Sequence, residues 1–169
     1  MKIKYISLVV AFILFSVTAS SQSKVGTVNI NDILIKLPEL TEVETAVNIY
    51  KADLDKTLNE KVTTYKNKVE LFKKNSDTYS DVMKKTMGEE LYSLENDIKK
   101  FQQNGGKLAQ LRQEELLRPL YGKISDMIAV VAKEQNYTQI LTVDGNEFAY
   151  ADAKLDITTI VKTKLGIKE

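Results

Sequence analysis

Apolar residues recur at intervals of three and four along most of the chain between Glu39 and Asn136. This spacing is typical of one face of an α-helix, and few residues in the stretch would end a helix. The stripe is narrow, so it cannot enclose a globular core alone and is typical of a helix that pairs with one or two others. The apolar positions are Val47, Tyr50, Leu54, Leu58, Val62, Tyr65, Val69, Phe72, Val82, Met83, Met87, Leu91, Leu94, Ile98, Phe101, Leu108 and Leu111.

The periodic stretch divides at residues 75–80, where turn and helix-capping residues gather and the apolar spacing slips. We expect a first helix from about Pro38 to Lys74 and a second helix that runs to about Asn136. Together they form a long antiparallel helical hairpin, a coiled-coil arm over residues 38–136 with its tip at about 75–80. A reversal nearer Gly88 is the alternative.

The second helix contains residues that weaken helices. Pro119 removes a backbone donor and clashes with the carbonyl of Glu115, so a kink is expected. Gly105 and Gly106 each cost about 1 kcal/mol relative to alanine, which indicates either a hinge or close helix packing. Gly105, Gly106 and Pro119 are therefore the hinge candidates.

The two ends of the chain have the patterns of β-strands. Residues 24–30 alternate apolar and polar side chains, and residues 137–143 are rich in β-branched and aromatic residues. A tight turn at 144–146 predicts an answering strand at 147–151, which would complete a β-hairpin. A short amphipathic helix after Asp156 should end near Gly166.

The two β-forming ends can share one sheet only if the helices return to their origin, which is the main argument for the hairpin. We therefore expect an α+β, mostly helical fold with a β-rich body at residues 22–37 and 137–169. Its three strands would have exposed edges and no disulfide, so assembly as a trimer is expected. The predicted body core and trimer interface consist of Val28, Ile30, Leu141, Val143, Phe148 and Tyr150.

Residues 1–21 have the features of a cleaved secretory signal peptide. Lys2 and Lys4 precede an apolar run from Ile6 to Val17, and small residues follow it. The run is short for a membrane span, which needs roughly 20 residues; an uncleaved anchor is the alternative. Cleavage would change the net charge from +1 to −1, so nothing in the charge balance favours nucleic acid as a partner.

The chain has no cysteine and no histidine. Ser-His-Asp and Cys-His nucleophile systems are therefore impossible, and the commonest metal ligands are missing. Adjacent acids such as Glu89 and Glu90 are interpreted as solvated helix surface. The sequence predicts a protein that is not an enzyme, with no catalytic residue, no metal site and no cofactor.

Short segments along the whole mature chain resemble the Skp/OmpH family of periplasmic chaperones. The segments are Lys24–Asn29, Leu37–Glu39, Phe101–Gln103, Leu116–Ile124, Tyr137 with Ile140 and Leu141, and Asp156–Thr158. The resemblance implies an ATP-independent holdase, a homotrimer whose helical arms enclose unfolded outer-membrane β-barrel proteins in the periplasm. An anionic lipid or membrane surface is a further implied partner. The chain departs from the best-known members in its near-neutral charge, and in Asn29, where an aspartate is common.

Residues near the expected arm tip are the candidates for client contact: Lys73, Lys74, Tyr79, Met83, Lys84 and Lys85. A local basic bias and adaptable methionines are typical of surfaces that make many weak contacts. An ordinary solvated face is the alternative for the lysines, and packing in the helix seam is the expected position for Val82 and Met87.

The sequence leaves one other function open and disfavours a second. A secreted coiled-coil scaffold or cell-envelope spacer, binding one defined partner, would show a longer unbroken heptad register and no β body. A periplasmic adaptor hairpin of an export complex would need further β-domains on both sides of the hairpin, and we expect this chain to be too short for them.

Overall fold

The computed structural model of the chain describes residues 23–168, so the predicted signal peptide lies outside the described residues. In chain order the elements are strand β1 (Val25–Val28), helix α1 (Ile30–Leu34), helix α2 (Glu39–Asn75), helix α3 (Asp81–Glu134), strand β2 (Gln139–Thr142) and helix α4 (Thr158–Lys164). Single turns of 3-10 helix lie at Ser76–Thr78 and Ala153–Leu155. The described chain is mostly helical with a small sheet, which confirms that part of the predicted fold class.

Helices α2 and α3 lie side by side and run in opposite directions. The Nζ atom of Lys61 on α2 lies 2.5 Å from Oδ2 of Asp97 on α3. Further along α2, Lys68 pairs with Glu90, which comes earlier in α3. Because later residues of one helix pair with earlier residues of the other, the two helices are antiparallel.

The chain passes from α2 to α3 through a short 3-10 turn. Helix α2 ends at Asn75, and α3 begins at Asp81. The hydroxyl oxygen of Ser80 accepts a hydrogen bond from the backbone N–H of Met83 at 3.3 Å, which caps one of the free donors at the start of α3. The rings of Phe72 and Tyr79 pack across this turn with their centroids 6.2 Å apart.

The sheet has two parallel strands rather than the three that the sequence predicted. Strand β1 pairs with β2 in a register that places Val25 opposite Gln139 and Val28 opposite Thr142. No strand forms over residues 147–151, so the predicted β-hairpin is wrong. On its other side β1 makes one bridge from Thr27 to Asp156.

Asp144 gives the physical reason for this difference. Its Oδ2 atom accepts hydrogen bonds from the backbone N–H groups of Ile30 at 2.6 Å and Asn31 at 3.1 Å. The turn after β2 is thereby held at the start of α1, and the chain does not return along β2. The turn residues were recognised from the sequence, but their partner lies more than a hundred positions away.

Helix α1 was also missed by the sequence analysis, which extended the first strand to Ile30. The side-chain oxygen of Asn29 accepts a hydrogen bond from the backbone N–H of Asp32 at 2.8 Å. This is an N-cap, and it turns the backbone from extended to helical immediately after β1. Strand β1 therefore ends at Val28, and Ile30 is the first residue of a helix.

One hydrophobic core lies where β1, α1 and α4 meet the adjoining ends of α2 and α3, a unit that we call the body. Its buried apolar residues are Val28, Ile33, Leu34, Leu37, Val43, Val47, Leu120, Ile124, Val131, Ile157 and Val161. Since five elements contribute to this core, the body needs the chain to return along α3 before it can close.

The six residues predicted for the body core have different positions. Val28 is buried, Ile30 packs against the core, and Leu141 and Val143 are half-buried. Phe148 is 38% exposed and Tyr150 is 83% exposed. Within a single chain these two side chains are not core residues, because the strand that would have carried them does not form.

Helix α3 continues without interruption through the three hinge candidates, Gly105, Gly106 and Pro119. A Cβ atom added at either glycine would meet no atom within 4 Å, so close packing does not require glycine there. At the other end of the chain, α4 ends at Lys164, and Gly166 follows with φ +76°. This is the predicted glycine stop.

Candidate binding surface on the paired helices

Most of the exposed large apolar side chains of the described residues lie on α2 and α3. They are Ile49, Leu71, Val82, Met83, Tyr92, Leu111, Tyr121 and Val130, with Ile35, Phe148 and Tyr150 on the body. Because α2 and α3 pair only with each other over most of their length, side chains outside the seam remain in solvent. The helical pair therefore offers a long surface of scattered apolar groups.

Among the described residues of the helical pair, the most exposed large apolar side chain is Val82, near the turn between the long helices. Val82 is 76% exposed and Met83 is 50% exposed, while Met87 is half-buried against the pair. The expectation that Val82 packs in the seam is therefore wrong. Leu71, which the sequence analysis did not select, is also exposed, at 51%. A regular apolar spacing does not separate seam positions from their immediate neighbours, so the position of Val82 was predicted wrongly.

Tyr79 is only half-buried, but its ring is already engaged with Phe72 across the turn. Its contribution to a binding surface is therefore restricted to the exposed part of the ring. Its contact with Phe72 also stabilises the turn that places Val82 and Met83 in solvent.

The four lysines that the sequence placed near the turn are all exposed. Lys73 and Lys74 lie in the last turn of α2, where the helix dipole favours positive charge. Lys85 lies 4.0 Å from Glu89, one turn along α3. Lys73, Lys74 and Lys84 form no ion pair within the described residues. The structure therefore places cationic and apolar groups together at the turn between α2 and α3, the end of the helical pair that is opposite the body.

A groove of about 320 Å³ lies between the two helices beside the glycine pair. It is lined on the α2 side by Leu54 and Leu58, and on the α3 side by Phe101, Gly105 and Gly106. The two glycines supply no side chain to the groove, and Lys51, Asp55 and Gln102 also line it. This opening between the helices was not predicted from the sequence.

The base of the helical pair is fixed by an ion pair between Glu39, the first residue of α2, and Lys123 on α3. The hydrogen bond from Lys123 lowers the pKa of the Glu39 carboxyl below its usual value. The interaction joins the start of one long helix to the end of the other, close to the body core.

This surface lacks the side chains most often used to bind metals and to activate nucleophiles. The sequence contains no histidine or cysteine, and within residues 23–168 no group of acidic side chains is arranged to hold a metal ion. The helices of the described part of the chain include none that is long and apolar enough to cross a membrane. The described surface offers a partner its exposed apolar side chains, its lysine ammonium groups and the groove between the helices.

Comparisons with known proteins agree with this architecture. The family described as "Outer membrane protein (OmpH-like)" matches residues 24–165 of the chain. A solved structure from Caulobacter crescentus, provisionally described as an outer membrane chaperone (OmpH-like), is similar with a TM-score of 0.63 at 15% sequence identity. The similarity covers 87% of this chain and 86% of that one. The comparison with curated proteins finds no match.

Proposed function

The chain belongs to the OmpH-like family, and from this premise we propose that it is a periplasmic holdase chaperone that binds unfolded outer-membrane proteins without ATP. The observation that carries the proposal is the long helical pair, which projects exposed apolar and cationic side chains. The family is not enzymatic, so the prediction that the chain is not an enzyme is confirmed.

The proposed clients explain why such a surface is useful. Strands of outer-membrane barrels alternate apolar and polar residues, so an unfolded client offers apolar side chains that are separated by polar ones. Scattered apolar residues such as Val82, Met83 and Leu111 can each contact such a chain weakly. Methionine is especially adaptable in contacts of this kind. Many weak contacts hold a client in solution and still release it without an energy input.

We also propose that three copies assemble through their bodies, so that three helical arms enclose a shared cavity. Gly26 and Val28 face the core of the single chain, whereas Val25, Thr27 and Leu141 are on the other side of the sheet and are half-buried. Parallel sheets are normally covered on both faces, and a two-stranded sheet is marginal alone. The uncovered face is therefore the part of the body that a second copy would cover.

The exposed residues after β2 support the same assembly. Phe148 and Tyr150 are large apolar side chains in a segment without regular structure. Burial in contacts between copies would remove both from water. Sedimentation of the mature chain should therefore give the mass of three copies; a folded monomer at micromolar concentration would contradict the trimer.

We further propose the periplasm as the location and an anionic lipid surface as a secondary partner. Export rests on the signal-peptide features of residues 1–21. The lipid proposal rests on Lys73, Lys74 and Lys84, which are exposed beside Val82. A cationic group next to an apolar one is the combination that binds the interface of an anionic membrane.

The test of the chaperone proposal is aggregation of a client on dilution from denaturant. An unfolded outer-membrane β-barrel protein is diluted into buffer with the mature chain, and light scattering and native mass are recorded. We expect suppressed scattering and a complex of one client with three copies. Unchanged scattering without any complex would overturn the proposal and favour a scaffold that binds one defined partner.

A tip variant sharpens this experiment. Replacing Val82 and Met83 by serine should weaken client retention, because both side chains are exposed and neither supports the seam. Replacing Glu95 and Lys99, exposed residues on the same helix, by serine is the matched control and should leave retention unchanged. Equal retention by the two variants would move client binding away from the tip.

A further inference from the structure

The sequence Asn104-Gly105-Gly106 lies in the interior of α3, which is an unusual place for it. Asn-Gly normally marks a turn, and glycine is among the weakest helix formers. Neither glycine is required by packing, since a Cβ atom at either position would meet nothing within 4 Å. The local sequence therefore favours a turn where the fold has a helix. Such disagreements are expected at functional or strained sites.

Asn-Gly is also the sequence at which an asparagine side chain reacts most readily with its own backbone. The amide nitrogen of Gly105 attacks Cγ of Asn104, the Cγ–Nδ2 bond breaks, and ammonia leaves with the proton from the attacking nitrogen. The product is a five-membered succinimide. Water then opens the ring at either carbonyl and gives aspartate or isoaspartate. One water is consumed, one ammonia is released, and nothing is oxidised or reduced.

Helix α3 holds these groups apart. In an α-helix the N–H of Gly105 donates to the carbonyl of Phe101, so the nitrogen is not free to attack. Helical torsion angles at Asn104 also keep Cγ away from that nitrogen. The reaction therefore requires the helix to open locally, and its rate follows the population of the open state.

We propose that Asn104 is a deamidation site gated by opening of α3 at Gly105–Gly106. The glycines meet two requirements of the reaction, an unobstructed ring closure and a helix that opens locally. Gly105 has no side chain to obstruct the ring closure, and the pair lowers the cost of opening a helix that is otherwise continuous over Asp81–Glu134. The rate of deamidation at Asn104 is therefore set by the population of the state in which the middle of α3 is open.

The charges around Asn104 favour the same reaction. Lys100 and Lys107, one turn away on either side, are exposed, and within the described residues neither forms an ion pair. All three residues line one shallow groove on α3, together with Asp97, whose carboxylate pairs with Lys61. Two nearby ammonium groups stabilise the amide anion that attacks and the carboxylate that results. An aspartate at 104 would lie at helical pairing distance from both lysines and would offset part of their charge, whereas isoaspartate would interrupt the helix.

The experiment compares the folded mature chain with its Gly106→Ala variant during incubation at mildly alkaline pH. Peptide mass spectrometry measures conversion of Asn104, and the isomeric products are separated by chromatography. Gly106→Ala leaves the reacting Asn104-Gly105 pair unchanged and strengthens only the helix. We expect conversion of Asn104 about fivefold slower in the variant.

Two internal comparisons keep the proposal falsifiable. Asn75-Ser76, at the end of α2, should react at one rate in both proteins, because it is remote from Gly106. In denaturant, Asn104 should react equally fast in both, because no helix remains. Equal rates of Asn104 conversion in the two folded proteins would overturn the gating by the glycines. If Asn104 stays intact in the folded chain but converts in the denatured chain, the proposal that α3 opens locally is overturned. Neither result would bear on client binding.

Discussion

At the scale of single residues, the contact between Glu39 and Lys123 joins the first residue of α2 to the returning helix beside the body core. The Lys123 ammonium lowers the pKa of the Glu39 carboxyl from its ordinary 4.5. A carboxyl whose pKa is lower in the folded state stabilises the fold above its unfolded pKa. That contribution disappears as the pH falls through the folded pKa, when both states become protonated.

The first prediction is therefore a pH-dependent cost of Glu39→Gln. The variant should unfold at a lower urea concentration than the wild type at neutral pH, and the difference should shrink as the pH falls below about 4.5. Glu42→Gln is the control, because Glu42 shares the first turn of α2 and its favourable dipole interaction. A difference between Glu39→Gln and wild type that is constant over this pH range would show that Lys123 does not stabilise the carboxylate.

The second prediction uses two glycines whose surroundings are opposite. A Cβ atom at Gly26 would lie 2.7 Å from the Tyr137 ring and 2.9 Å from the backbone oxygen of Leu155, and a backbone atom cannot move aside. Gly26→Ala should destabilise the body by about 1–3 kcal/mol. Gly122 meets nothing within 4 Å in the interior of α3, so Gly122→Ala should stabilise by up to about 1 kcal/mol. Thermal unfolding should give a lower midpoint for Gly26→Ala and a higher one for Gly122→Ala. An unchanged midpoint for Gly26→Ala would contradict the close contact of Gly26 with Tyr137 and Leu155.

At the scale of elements, the two lysine–carboxylate pairs away from the body share one polarity, whereas the Glu39–Lys123 pair beside the body has its lysine on α3. Lys61 and Lys68 are on α2, and their partners Asp97 and Glu90 are on α3. Apolar seams tolerate slippage, since one apolar position resembles the next. Two charge pairs of the same polarity favour the one register in which every lysine meets an acid. Their role is therefore to specify the pairing more than to stabilise it.

The third prediction tests this role by charge exchange. Lys61→Glu should place two acids together and destabilise the pair by up to about 1 kcal/mol, as expected for an exposed contact. Adding Asp97→Lys should restore stability, because the charges are again opposite. The coupling is measured by urea unfolding of the two single variants and the double variant. Strictly additive effects would mean that the pair contributes nothing to the register.

The elements that were predicted correctly from the sequence depend on local patterns. The long helices follow from local spacing, and the capping hydroxyl of Ser80 and the stop at Gly166 are local as well. The failures depend on distant partners. Asp144 turns the chain toward α1 through backbone groups of Ile30 and Asn31, and no local pattern contains that contact. The exposure of Val82 was missed for a related reason, since seam membership depends on how two helices dock.

At the scale of the whole molecule, the chain divides its residues between a small core and a long projection. The core gathers buried residues from both ends of the chain and from the adjoining ends of α2 and α3, as far as Val47 on α2 and Leu120 on α3. Beyond it the two helices contact only each other and solvent among the described residues. The projection therefore contributes little to folding of the body.

The last prediction separates assembly from client binding by shortening this projection. Residues 62–96 are deleted, and Lys61 is joined to Asp97 by a short glycine-containing turn, since these two side chains already lie 2.5 Å apart. The body core stays intact because its residues all lie outside the deletion.

We expect the shortened chain to fold and to assemble as the full chain does, because the sheet face and the segment after β2 are unchanged. It should no longer prevent aggregation of an unfolded outer-membrane protein, because the tip and four of the eight exposed large apolar side chains of the described helical pair are gone. Sedimentation reports assembly, and light scattering reports aggregation of the client. Retained holdase activity in a normally assembled variant would assign client binding to the body, whereas loss of assembly would show that the helical pair itself holds the copies together.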